Sequence, residues 1–210
     1  MKPVIKICGM RDAENIIAAA ELKPDIMGFI FYPGSPRFAG KLLNPEIVAD
    51  LPSGIRKAGV FVNAEYEEIS KTAGKFSLSM VQLHGNETPE LCCRIKDSGI
   101  EVIKAFNIRD SMSFSMCKDF IESADYFLFD TSTVNHGGSG QKFDWKLLDR
   151  FKSWNPFFLS GGISPSDSSH ILRISNSALY GIDLNSRFEI KPGLKDIQKL
   201  KGFINELRNK

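Results

Sequence analysis

No stretch of this 210-residue chain is apolar for long enough to span a bilayer, so no transmembrane helix is expected. No secretory leader is expected either: the amino terminus holds a short apolar run, without a charged region followed by a long apolar one. Net charge is small. The 27 Lys and Arg against 25 Asp and Glu give +2, so neither nucleic acid nor a membrane surface is an expected partner. Basic residues are scattered, with no run and no aromatic ladder among them. The four cysteines, Cys8, Cys92, Cys93 and Cys117, have neither disulfide-framework nor zinc-ligand spacing. With no leader, they indicate a reducing, cytoplasmic compartment. His84, His136 and His170 form no metal-ligand pattern, and no metal site is expected. No Gly-x-Gly-x-x-Gly follows the first apolar run, which argues against an open doubly wound sheet.

What is present is a strict alternation. Apolar residues make up 42% and charged residues 25%, the balance of an ordinary globular protein long enough to bury a substantial core. Short runs rich in β-branched and aromatic residues predict buried parallel strands at 4–7, 26–31, 57–62, 80–83, 101–106, 126–129, 156–159 and 178–182. Helical patterns lie between them. Asp12, Thr88 and Ser164 stand as N-caps, the last two followed by a first-turn proline. A final helix over 194–207 carries Ile197, Leu200, Ile204 and Leu207 at helical spacing. Two segments are weaker: 44–51 is short for a helix, and 109–121 is rich in Ser and Met. Eight βα units at intervals of about 25 residues, with no linker, are best explained by closure into one (β/α)8 TIM barrel. It is expected to form a single domain over residues 1–210.

Active sites of such barrels lie at the carboxyl ends of the strands. The chemically rich residues of this chain fall just there: Cys8, Arg37, Asn63, His84, Asp130, then Ser160-Gly161-Gly162, and Asp183 with Asn185-Ser186. Loops after the seventh and eighth strands commonly bind phosphate through backbone N–H groups. Gly161, Gly162, Asn185 and Ser186 are therefore phosphate candidates, although two glycines also serve a plain tight turn. Cys8 is either an inert small apolar residue or a thiolate base, if a neighbouring cation favours ionisation. Lys6 shares its face of the strand. Asp130 is a loop carboxylate, or an acid if burial beneath Phe127-Leu128-Phe129 raises its pKa. Arg37, in a loop stiffened by Pro33 and Pro36, suits capture of a carboxylate, unless it is simply solvated. His84 is a ligand contact or a satisfied rim histidine. The Gly-rich segment 135–145 is a loose connection or a lid. Cys92, Cys93 and Cys117 fall in helical segments and read as packing.

Taken in order, these residues resemble the phosphoribosylanthranilate isomerase family over essentially the whole chain. The motifs are Lys6-Ile7-Cys8-Gly9, Ser35-Pro36-Arg37, Gly59-Val60-Phe61-Val62-Asn63, Val81-Gln82-Leu83-His84-Gly85, and Phe129-Asp130-Thr131. They continue with Gly137-Gly138-Ser139-Gly140, Phe143-Asp144-Trp145, Leu159-Ser160-Gly161-Gly162-Ile163 and Pro192-Gly193-Leu194-Lys195-Asp196. The resemblance implies an Amadori rearrangement in tryptophan biosynthesis, an aldose–ketose isomerisation without cofactor or metal. The substrate would be the small molecule N-(5-phosphoribosyl)anthranilate. Asp130 then matches the acid, Cys8 the base, and Arg37 the group holding the anthranilate carboxylate. Gly161, Gly162, Asn185 and Ser186 match the phosphate site, Asp183 the residue facing the sugar hydroxyls, and His84 a pocket contact. A monomer is expected. The family usually has a small residue after the loop-eight serine, where this chain has Arg187, which either points to solvent or adds a phosphate contact. The alternative is a non-catalytic barrel that binds a sugar phosphate, but a binder needs neither the thiol nor the acid.

Overall fold

Eight parallel strands follow one another in chain order around a closed barrel in the computed structural model, which describes residues 2–108, 110–131, 144–152 and 155–209. They are β1 (Val4–Ile7), β2 (Ile26–Ile30), β3 (Arg56–Phe61), β4 (Met80–Leu83), β5 (Glu101–Ile108), β6 (Tyr126–Thr131), β7 (Phe157–Leu159) and β8 (Leu179–Leu184). β8 returns to β1 with Lys6 opposite Asp183. Each expected strand is present, with no boundary moved by more than two residues.

The helices are α1 (Ala13–Ala20), α2 (Pro45–Ala49), α3 (Tyr66–Phe76), α4 (Pro89–Asp97), α5 (Lys146–Arg150), α6 (Ser168–Ile171) and α7 (Ile197–Asn209). Asp12 caps α1 by accepting the Asn15 N–H at 2.9 Å, and Thr88 caps α4 through Leu91 N–H. Ser164 and Asp167 form a reciprocal capping box that opens a 3₁₀ turn leading into the single turn of α6. The Ser- and Met-rich segment is a 3₁₀ helix, Ser111–Phe120. Its Ser113 N–H bonds to Asp110, a local competitor to α-helical pairing.

One expectation needs correcting. The final helix begins at Ile197, because Leu194–Lys195 forms β10, antiparallel to β9 (Glu189–Lys191). Gly193 turns that hairpin at φ +82°, a conformation glycine adopts without a Cβ clash.

Period-two alternation divides the core. Ile26, Ala58, Met80, Ile103, Leu128 and Phe158 fill the barrel interior. Ile5, Ile7, Phe29, Val81, Phe127 and Phe129 face outward beneath the helices. Consequently Lys6, flanked by Ile5 and Ile7, points inward and is fully buried. Arg56, Glu101 and Tyr180 close the opposite end of the barrel. Ile17, Leu42, Met116 and Ile190 are exposed singly on separate elements, the ordinary state of a protein surface. Among the described residues, no helix is long and apolar enough to cross a membrane.

Candidate active site

One cavity opens at the carboxyl ends of the strands, and ten of the eleven rim residues singled out in the sequence line it: Cys8, Arg37, His84, Asp130, Ser160, Gly161, Gly162, Asp183, Asn185 and Ser186. Asn63 is not in its wall; its N–H donates to Glu87. Gln82 joins them from one inward step lower on β4. The 135–143 part of the Gly-rich segment, with His136, lies outside the described residues.

Cys8 directly follows β1 and is 2% exposed. Its neighbour across the sheet is Gly28 of β2, where a Cβ would stand 2.8 Å from the sulfur, so the thiol occupies space that only glycine leaves. Burial pushes the Cys8 thiol above its usual pKa, and the Asp183 carboxylate adds to this. The cations of Lys6 and Lys195 pull the other way. Lys6 donates to Asp183 Oδ1 at 2.7 Å and to Gln82 Oε1 at 2.8 Å. Burial disfavours its charge, but Asp183 and the Cys8 thiol outweigh that and hold its pKa above the usual lysine value.

Asp130 sits across the barrel mouth on β6. Burial pushes its carboxyl up to about 7, against the opposing Thr131 N–H, which donates to Oδ1 at 2.7 Å. Gly161 makes this placement possible. It adopts φ +84°, and a Cβ there would stand 2.7 Å from Asp130 Oδ1 and also strike Thr131. Gly162 follows at φ +70°. His84 places Nε2 3.5 Å from Asp130 Oδ2, while its Nδ1 lies 2.9 Å from Gln82 Nε2. Burial, then the charge of Lys104, pushes the His84 pKa down to about 4.

Arg37 has a partner that its motif does not reveal. Its Nε donates to Glu189 Oε1 at 2.9 Å and its Nη2 to Oε2 at 2.7 Å, a two-pronged pair buried under the loop after β2. Lys195 donates to Glu189 Oε1 at 2.8 Å and to Asn185 Oδ1 at 2.7 Å. Burial alone would raise the Glu189 pKa, but Arg37 and Lys195 leave it below the usual carboxylate range. The network joins the Arg37 loop to the Asn185 turn. Gly9 lets the two loops close over β1, since a Cβ at its φ of +77° would strike Arg37 Cδ and Asn185 Oδ1. Arg11 adds a clamp by donating to the carbonyls of Pro36 and Pro192.

A further buried pair supports the rim. Lys104 of β5 donates to Glu87 at 2.9 Å, and Glu87 accepts N–H groups from Asn63 and Gly85. Glu87, Lys104, Glu189 and Lys195 drew no role from the sequence. Lys104 gave one signal, a charge set between the apolar strand residues Ile103 and Ala105. Arg187 is exposed, is absent from the cavity wall and does not have a left-handed backbone. Cys92 and Cys117 are buried, as helix packing requires, but Cys93 is on the solvent face of α4.

The sequence profile of the N-(5'-phosphoribosyl)anthranilate (PRA) isomerase family matches residues 5–206. An isomerase of that name from Parabacteroides distasonis is 44% identical over 205 residues, 97% of this chain and 93% of the relative. The crystal structure of phosphoribosyl anthranilate isomerase from Thermotoga maritima superposes with a TM-score of 0.87 at 34% identity, covering 99% of this chain and all of that one. A further such structure, in complex with reduced 1-(o-carboxyphenylamino)-1-deoxyribulose 5-phosphate, superposes at 0.81 and 32% identity, covering 99% of this chain and 100% of the other. With relatives this similar along nearly its whole length, the chain belongs to the N-(5'-phosphoribosyl)anthranilate isomerase family.

Proposed function

We propose that this chain isomerises N-(5'-phosphoribosyl)anthranilate to the 1-deoxyribulose 5-phosphate aminoketose in tryptophan biosynthesis, with Asp130 as general acid and Cys8 as general base. The observation that carries the assignment is one cavity holding both groups on opposite walls, with the Asp130 carboxyl pushed up to about 7. Asp130 is then neutral for much of the time at physiological pH and has a proton to give. It protonates the furanose ring oxygen; the bond from that oxygen to the anomeric carbon breaks, and the nitrogen lone pair forms an iminium. The iminium makes the proton on the second ribose carbon acidic and places a positive charge near Cys8, which favours the thiolate. Cys8 removes that proton, and the resulting enolamine tautomerises to the ketone by taking a proton on the first carbon. No cofactor enters this scheme.

Anchoring both ends of the substrate fixes the ribose between the two groups. Gly161, Gly162, Asn185 and Ser186 are the proposed phosphate site. Two successive left-handed glycines bring backbone N–H groups close, and Lys195 holds the Asn185 amide oxygen, which orients the side chain. Arg37 is the proposed carboxylate contact, already charge-balanced by Glu189, so it discriminates by geometry more than by net charge. Asp183 faces the sugar hydroxyls and His84 is a pocket contact. Every residue in this scheme comes from one chain, so the proposed working unit is a cytoplasmic monomer; a sedimentation mass of two chains would rule that out.

Anthranilate fluorescence of freshly made phosphoribosylanthranilate decays on isomerisation. Rapid decay with this chain, lost in both Cys8→Ser and Asp130→Asn, is the expected result. No decay with the unaltered chain favours a sugar-phosphate-binding barrel instead. Loss in only one variant keeps the substrate and overturns the division of roles.

A further inference from the structure

We propose that Lys6 and Gln82 are positioning residues that hold His84 as its neutral Nε2–H tautomer, with that N–H aimed at Asp130. This rests on the reading of Asp130 as the acid. Lys6 is the anchor: its ammonium is fully buried and pairs with Asp183 at 2.7 Å. An ammonium offers only donors, so the Gln82 amide turns its oxygen to Lys6, at 2.8 Å. The amide nitrogen, itself a pure donor, is thereby directed to His84 Nδ1 at 2.9 Å. Nδ1 must accept, and a neutral imidazole then carries its proton on Nε2. That nitrogen lies 3.5 Å from Asp130 Oδ2, the carboxyl oxygen that the Thr131 N–H leaves unused.

The surroundings of the ring agree with a neutral imidazole. Lys6 from β1, Lys104 from β5, Glu87 after β4, Asp130 from β6 and Asp183 from β8 are the charged or titratable groups around it. Burial and Lys104 dominate and push its pKa down to about 4.

The tautomer matters in the acid step. When Asp130 gives up its proton, the Nε2–H and the Thr131 N–H together receive the carboxylate that remains. In this proposal the 3.5 Å contact shortens as the transition state forms. The opposite tautomer would present a lone pair, which would draw the Asp130 proton away from the substrate. Loss of the chain therefore affects kcat more than KM.

Nitrogen NMR of isotope-labelled histidines in the full chain reads the tautomer directly, with His84 assigned from the signals missing in His84→Asn. The expected spectrum has Nε2 protonated and Nδ1 bare from about pH 6 to 8. Protonated Nδ1, or an imidazolium in that range, overturns the proposal without any variant having to fold. Gln82→Glu exchanges the donor for an acceptor. His84 is then expected to take its proton on Nδ1, with kcat down about 10- to 100-fold and KM within about twofold. A folded Gln82→Glu with switched tautomer and unchanged kcat also overturns the role. If Asp130→Asn stays active, the acid reading fails while the wild-type spectrum stands. If Asp130→Asn is dead but Nδ1 is protonated, the positioning chain alone fails.

Discussion

Asp130 and Cys8 have opposite requirements in the proposed mechanism, and burial acts on both in the same direction. It raises the carboxyl to about 7, which suits an acid, and raises the thiol, which opposes a base. The competent form has Asp130 protonated and Cys8 ionised. Below about pH 7 both groups hold protons, and the thiolate fraction grows tenfold per pH unit. Above it the neutral carboxyl declines at the same rate, so the two changes cancel until the thiol itself ionises. Hence kcat/KM is expected to climb to about pH 7, stay flat into the alkaline range, and fall only beyond the usual thiol pKa. A pH–rate profile checks this; a maximum on the acid side of that point contradicts it. Both groups were legible in the sequence because each ends an apolar strand and therefore lands on the rim. Glu189 and Lys195 were not, since their value lies in partners 152 and 10 residues away, Arg37 and Asn185. No local pattern encodes such pairing.

The loop after β7 shows how an element serves two tasks. Ser160-Gly161-Gly162 belongs to the proposed phosphate turn, and Gly161 also packs against Asp130, the proposed acid. Gly161→Ala adds a Cβ that meets Asp130 Oδ1 at 2.7 Å, on a backbone at φ +84°. Strain and overpacking together are expected to cost about 2–4 kcal/mol. Urea unfolding should show this loss, and kcat should fall as Asp130 is displaced. A stable and fully active Gly161→Ala would mean that the loop relaxes freely. Strand positions were readable because buried parallel strands are short apolar runs, and the caps Asp12, Thr88 and Ser164 marked helix starts through local bonds. The start of α7 was misread because Leu194 fits a helical spacing, while its pairing with Lys191 is antiparallel and requires the turn at Gly193. Periodicity has no access to a two-residue strand.

Across the whole barrel, chemistry and support occupy opposite ends. The end remote from the cavity holds Arg56, whose Nη1 pairs with Glu101 at 3.0 Å and whose Nη2 donates to the Tyr180 hydroxyl at 2.9 Å. Arg56→Met removes both contacts far from the site. It is expected to lower stability by about 1–2 kcal/mol in a urea titration, with kcat and KM unchanged. A changed kcat would show that the two ends are coupled. The sequence by itself determined the strand order, the barrel and ten of the cavity's rim residues, because alternation, strand length and N-caps are local and each strand end reports one rim position. Tertiary structure alone decided the electrostatics. Closure brings Lys6 against Asp183 and Gln82, and β9 and β10 bring Glu189 and Lys195 to Arg37 and Asn185. Protonation states follow from burial and from charges held a few ångströms apart, and those distances exist only once the barrel has closed.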